Sequence, residues 1–435
     1  MGANHTHGPV APASHAARWA TLAVIVPLAV ATLVAVLWMW PGQPASDSAE
    51  GSTLQKVTGM IVGITLSPCP EEPPLEGVPS AGLPPVDPAT CGDAQVRLTS
   101  GQQTGQRVIA QLPSGPGSPV FGVGDDIVLI YTPVTGDNIL DEPPYRVSDY
   151  DRTEPLLLIG AAFALAVIAF GRWRGVTALV GLAITFVLLL TFVIPAILAG
   201  QPPLLVAIAG SAAIMLAVLY LTHGFTVTTS VAIVGTLCSL SLTGGLSYAA
   251  IGIARLSGIT DDSSLFLDMS YRINTQGLLM ASILIGALGV LDDVTVTQSV
   301  TVAELARVNP GFGFRELYRA ATRIGRAHIA SVINTIILAY AGASLPLLLL
   351  ISVGREPLGE VLTNPVLAQE IVRSVVGTLG LISAVPLTTA LAVLAHRPRA
   401  IGGRGDEPLP SVTGRRRSGS DHGGGEPESA FWQNH

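Results

Sequence analysis

Charge is scarce in this chain. Asp, Glu, Lys and Arg together make up 12% of its 435 residues, about half the usual quarter for a soluble protein. A formal charge of −7 offers no basic surface, which excludes nucleic acid as a partner. Cysteine is nearly absent. Three of them exclude a disulfide-dense scaffold and every multi-cysteine metal site. His5, His7 and His15 lie among Pro, Ala and Ser without a clustered carboxylate, so no metal site is expected. There is no His-Glu-x-x-His, no nucleophile elbow and no phosphate-binding glycine loop, so neither catalysis nor a cofactor is expected. What the chain has is apolar bulk. Such residues are 49% of the sequence, the mean hydropathy is +0.54, and they are gathered in long blocks. The expected class is a mainly α, polytopic membrane protein, with the lipid bilayer as its first partner.

A spanning helix needs roughly 20 apolar residues. Eight blocks meet that need, near residues 18–40, 155–171, 175–199, 203–222, 226–250, 276–299, 328–351 and 366–395. The first is either an uncleaved anchor or a signal peptide. Its length and the poor cleavage site at Pro44-Ala-Ser46 favour the anchor. Arg172, Arg174, Arg307, Arg315, Arg319, Arg323 and Arg326 then fall on the same side as both chain ends, which the positive-inside rule assigns to the cytoplasm. The expected division is a disordered cytoplasmic N-terminus (1–17), an anchor (18–40), an extracytoplasmic domain (41–153), a seven-helix membrane domain (154–396) and a disordered cytoplasmic tail (397–435). The expected location is a bacterial cytoplasmic membrane.

Residues 41–153 carry 14 Asp and Glu against five Lys and Arg. Leu54 to Thr65, Ala94 to Thr99, Gly105 to Leu112 and Asp126 to Thr132 are rich in β-branched residues and separated by turn formers. Four or five short strands in such a length predict a small β domain, an OB-like barrel. Cys69 and Cys91 bracket a proline-rich loop there and are candidates for a disulfide, as a structural staple or a redox pair.

The chemistry concentrates in the sixth block. Asp292 and Asp293 interrupt an otherwise spanning sequence, and valines continue past them. An ionisable group at that depth is costly and marks a functional position. Two adjacent carboxylates in a low dielectric do not both ionise readily, so they titrate as a unit and suit a proton carrier. At helical spacing Ser282, Gly286, Gly289, Asp293 and Thr297 share one face, whose small residues would admit another helix. Asp292 projects about 100° away, on the side of Thr295. Gln298 lies on the next turn. The seventh block begins near His328 and places Asn334 and Thr335 at a similar depth, as candidate partners for the carboxylates. Between these blocks, Glu304 to Arg326 reads as an amphipathic segment broken at Pro310-Gly311, lying on the anionic leaflet or coupling its flanking helices.

Gly286-Ala-Leu-Gly-Val-Leu-Asp-Asp-Val-Thr-Val-Thr-Gln298 resembles a hallmark of the YibE/F family of bacterial multi-pass membrane proteins. Ile324 to Thr335, continuing through Leu338 to Leu350, resembles its other hallmark, and the likeness covers about residues 150–396. More distantly, Gly286, Gly289, Asp292, Asp293, Val296 and Glu304 fall where proton-driven RND permeases and the SecD/SecF factors carry comparable residues. Leu291, two additional spans and a much smaller outside domain depart from that pattern. The family likeness implies little about chemistry, and the distant one adds by analogy to what the residues suggest, a secondary transporter or permease using Asp292 and Asp293, with Thr295, Thr297, Gln298, Asn334 and Thr335 around them. The rival expectation is a non-transporting scaffold whose outside domain binds an envelope protein or ligand. The transported solute is open under the first, and a homo-oligomer is open under both.

Overall fold

The computed structural model describes residues 15–42, 55–69, 87–115, 117–132, 144–260, 262–354 and 357–396. The expectations for most of the N-terminal tail and for all of 397–435 lie outside these residues. Helix α1 (His15–Trp38) is followed by five strands, β1 (Gln55–Leu66), β2 (Gly92–Leu98), β3 (Arg107–Gln111), β4 (Asp126–Tyr131) and β5 (Tyr145–Tyr150). They close into a barrel in the order β1-β2-β3-β5-β4. Among the described residues the one parallel pairing is β3 with β5, the arrangement of an OB-like barrel. Strand β1 is long enough to serve two neighbours, since residues 55–60 pair with β4 and 59–66 with β2. Alternation fills the interior. Ala94, Val96 and Leu98 of β2 meet Ile127 and Leu129 of β4 and Val147 of β5 inside, while Gln95 and Arg97 face outward. The fifth strand, which the sequence reading did not place, hides its period-2 pattern behind polar residues. Tyr145 and Val147 point inward, and Arg146 and Ser148 do not.

Cys69 and Cys91 form a disulfide with Cα atoms 5.1 Å apart. Cys91 is buried immediately before β2, which fits a staple. Replacing both cysteines with serine is expected to destabilise the barrel by roughly 3 kcal/mol, the chain-entropy value for a loop of this order. Calorimetry of the full protein would show the barrel transition at lower temperature, and an unmoved transition would mean that the link contributes nothing.

Two residues connect barrel and bundle. Asp149 accepts both ends of the Arg152 guanidinium, at 2.6 and 2.9 Å. That hydrogen bonding, joined by the Tyr150 N–H, holds the Asp149 carboxyl below its usual range. Asp151 accepts from the Thr153 N–H and hydroxyl at the start of the next helix. The bundle comprises α2 (Thr153–Leu188), a π-helical turn (Leu189–Val193), α3 (Ile194–Leu198), α4 (Pro203–His223), α5 (Val227–Ile253), α6 (Asp262–Tyr271), α7 (Thr275–Val308), α8 (Phe314–Ala343), α9 (Leu345–Gly354), α10 (Leu358–Thr363) and α11 (Pro365–Ala395). Thr226 caps α5 by accepting from Thr229 N–H, and Asn274 caps α7 by accepting from Gly277 N–H.

Among the described residues, seven helices are long and apolar enough to cross a bilayer, one of them the 46-residue run Thr153–Leu198. Laid straight, that run would rise about 69 Å, over twice the roughly 30 Å hydrocarbon core. It is not straight. Arg172 has φ 52° and ψ −129°, and a Cβ on Gly175 would lie 2.3 Å from the Val167 carbonyl oxygen. Residues eight apart in one helix are about 12 Å apart, so the chain doubles back at Arg172. The run is therefore two lengths, and the eight blocks read from the sequence are restored.

Helices α5, α7 and α11 pack most extensively and form the centre; α4 lies on α7, α2 on α4, and α1 against α4 and α5. Helix α8 starts 14 residues before the expected position near His328, because residues 314–327 continue into the span without a break. Its stripe Leu317, Ala321, Gly325 and Ile329 is buried. Leu317 and Ala321 sit in one apolar cluster with Val231 of α5, Val302 of α7 and Val393 of α11. The amphipathic segment thus packs on the bundle, while Arg315, Arg319, Arg323 and Arg326 stay exposed.

Candidate site on helix α7

Asp292 stands at the middle of the 34-residue α7. The face around it is set by the side chains that helix packing requires. Leu284, Leu288, Leu291, Thr295, Gln298 and Val302 are buried and recur at steps of three and four, so one stripe of α7 faces the bundle centre. Asp292 lies at the edge of that stripe and is partly buried.

The structure corrects the expected orientation of Asp293. Gly286, Gly289, Asp293 and Thr297 do share a face, but it is the exposed one. Against that face the Tyr340 hydroxyl of α8 comes within 3.4 Å of a Cβ built on Gly286. The carboxylate that meets the bundle is Asp292. Asn334 and Thr335 are likewise exposed on α8, and the Thr335 hydroxyl donates to the Ser331 carbonyl at 3.1 Å. The antiparallel register of α7 and α8, set by Gly286 beside Tyr340 and Gln298 beside Gly325, puts Asn334 level with the aspartates as expected. It does not bring them into hydrogen-bond contact. Among the described residues, no Lys, Arg or His forms an ion pair with Asp292 or Asp293.

The other two sequence candidates are held firmly. The Thr295 hydroxyl lies 2.6 Å from that of Thr236 on α5 and 3.1 Å from the Asp292 backbone carbonyl. Thr236 also donates to Ala232 O. Three oxygen-to-oxygen contacts share two hydroxyl protons, and with Thr236 donating to Ala232 the Thr295 proton serves either Thr236 or the Asp292 carbonyl. Gln298 is 3% exposed. Its Nε2 donates to the Ala321 carbonyl of α8 at 3.0 Å and to the Thr389 hydroxyl of α11 at 2.7 Å, which ties three helices at one point. Thr389 was not anticipated. Nothing in a single sequence distinguishes it from its neighbour Thr388, whose buried hydroxyl has no partner.

A polar line therefore runs through the centre. Thr236, Ser239, Thr243 and Ser247 of α5 are all buried, and each hydroxyl donates to the carbonyl four residues earlier. Ser299, one turn beyond Thr295 on α7, is fully buried with no hydrogen-bond partner. Among the described residues no cluster of His, Cys, Asp and Glu could hold a metal ion.

A family model described as YibE/F-like protein matches residues 159–398, the stretch that contains every helix of this site. No curated protein matches the chain, and no solved structure does.

Proposed function

The chain belongs to the YibE/F-like family, and from that membership and the geometry of α7 we propose that it is a secondary transporter or permease whose Asp292–Asp293 pair handles protons. The observation that carries this reading is Asp292 itself. It is a carboxylate at mid-helix, at the edge of the packed face of a bilayer-length helix, with no ion-pair partner among the described residues. A fixed charge there is costly, whereas a carboxyl that takes up and releases a proton carries charge only transiently. Helix directions support a cytoplasmic-membrane topology with both ends inside, because Arg18, Arg172, Arg174, Arg307 at the end of α7 and Arg315, Arg319, Arg323 and Arg326 in the first half of α8 then gather at one end of the bundle.

The outward face of Asp293, Gly286, Gly289 and Thr297 supports a second reading, a scaffold in which α7 docks on a helix of another chain. Difference infrared spectroscopy of lipid-embedded protein separates the two. The proton reading expects a protonated-carboxyl band that comes and goes with pH in the wild type and is lost in Asp292→Asn. The scaffold reading expects no such band, and expects Asp293→Asn to change the size of the purified particle. A wild type without a titrating carboxyl band ends the proton reading.

A further inference from the structure

Between α1 and the rest of the bundle lies a cleft of about 1080 Å³, at the top of the range of roughly 300–1,000 Å³ that suits a drug-sized ligand. It has a polarity along its length. Leu22, Ile25, Val26, Ala29 and Val30 of α1 face Leu216 of α4 across its deep part. Leu22, Val26 and Val30 remain 51%, 53% and 55% exposed, so this wall is open rather than sealed. At the other end the lining turns ionic, with Arg18 of α1, Glu304 and Arg307 of α7, and His396 just past α11.

The charges at that end do not cancel. Arg307 is bound to Glu304 at 2.8 and 2.9 Å. Arg18 has no ion-pair partner among the described residues and is exposed at the mouth. His396 places Nδ1 2.9 Å from the Ala392 carbonyl. Nδ1 therefore carries the hydrogen, and Nε2 of the neutral ring is an acceptor that offers a phosphate no donor. The hydroxyl of Thr228 on α5 adds a donor at the same level, whereas Ser230 gives its hydrogen to the Thr226 carbonyl.

We propose that this cleft binds an anionic phospholipid, with its phosphate at Arg18 and the Thr228 hydroxyl and one acyl chain laid along α1. From Arg18 to Val30 the wall rises about 18 Å, over half of the roughly 30 Å hydrocarbon thickness, which is the depth of one leaflet. A soluble anion would use the mouth and leave the apolar wall without a role. A neutral lipid would leave Arg18 unmatched. The site is independent of proton handling by Asp292, since none of its lining residues belongs to the aspartate pair.

Native mass spectrometry of the full-length protein, stripped of lipid and titrated with phosphatidylglycerol, phosphatidylcholine or inorganic phosphate, tests the assignment. One phosphatidylglycerol is expected to bind at least tenfold more tightly than phosphatidylcholine. Arg18→Gln is expected to abolish that preference, and Ala29→Trp, which fills the wall, to remove binding of either lipid. Equal binding of the two lipids by the wild type overturns the proposal. So does phosphatidylglycerol binding that neither variant changes. Displacement of bound phosphatidylglycerol by millimolar phosphate would overturn it as well, because the apolar wall would then contribute nothing.

Discussion

Gly380→Leu is expected to prevent the bundle from assembling, and even Gly380→Ala to lower its thermal midpoint clearly. A Cβ at position 380 would lie 2.0 Å from the Thr243 hydroxyl oxygen, 3.1 Å from its Cβ and 3.2 Å from its Cγ2. Thr243 has no room to turn away. It is fully buried, its hydroxyl is bonded to the Ser239 carbonyl at 2.8 Å, and rotation about χ1 only exchanges one branch for another. The same contact is repeated in reverse. A Cβ on Gly235 of α5 would lie 2.4 Å from the Thr388 hydroxyl of α11. Each helix thus supplies a glycine where the other supplies a threonine, which fixes an antiparallel register at two levels. Overpacking at such a point costs about 1–3 kcal/mol, occasionally more. Thr243→Ala removes the two nearest branches, so Gly380→Ala with Thr243→Ala should recover most of the loss. Thermal unfolding of the purified single and double variants measures the coupling. An alanine at 380 that unfolds like the wild type, or a double variant no better than Gly380→Ala, contradicts the interlock.

Gln298→Ala is expected to cost about 2–4 kcal/mol, from a buried void and two lost hydrogen bonds. The side chain is the sole hydrogen-bonded tie among α7, α8 and α11 in the described residues. Its space is reserved by Gly325, where a Cβ would come within 2.6 Å of the Gln298 Oε1. Gln298→Leu keeps the volume and loses only the polar link, so its cost should be nearer 1 kcal/mol. Hydrogen exchange should then rise most over residues 314–329 of α8 in the alanine variant, because that helix is lightly buried elsewhere along its length. Equal stability of the alanine and leucine variants would show that packing at this junction is immaterial.

Much of the architecture could be read from local patterns because those patterns are physical requirements. A bilayer-length apolar block and a period-2 strand each follow from one stretch of chain. The turn at Arg172 was legible too, as arginines and glycines between two apolar blocks. The orientation of α7 was not. Outside a membrane, hydrophobicity tells the inner face of a helix from the outer. Within one, both faces are apolar, and the small residues Gly286 and Gly289 fit a helix contact and a lipid-facing groove equally well. The relative placing of Asp292 and Asp293 was correct, while the choice of which one meets the bundle needed tertiary packing. Helix α8 runs back from the apolar block to Phe314, through the segment expected as amphipathic, because only one side of that segment is charged. The signal that it packs was the spacing of Leu317, Ala321, Gly325 and Ile329. The pairing of Gly380 with Thr243 joins residues far apart in the chain, and no local pattern announces it.

The two-level interlock of α5 and α11 has a mechanical corollary. Sliding one helix along the other by a single residue would drive each threonine out of its notch and into backbone, so the pair has one register and moves as a single stator. Helix α7 is fastened to that stator through Thr295 on one side and Gln298 on the other. Any alternation of access to Asp292 is therefore left to the elements that lean on this core with few polar fastenings. These are α1, the hairpin folded at Arg172, and the half of α8 beyond Ile329.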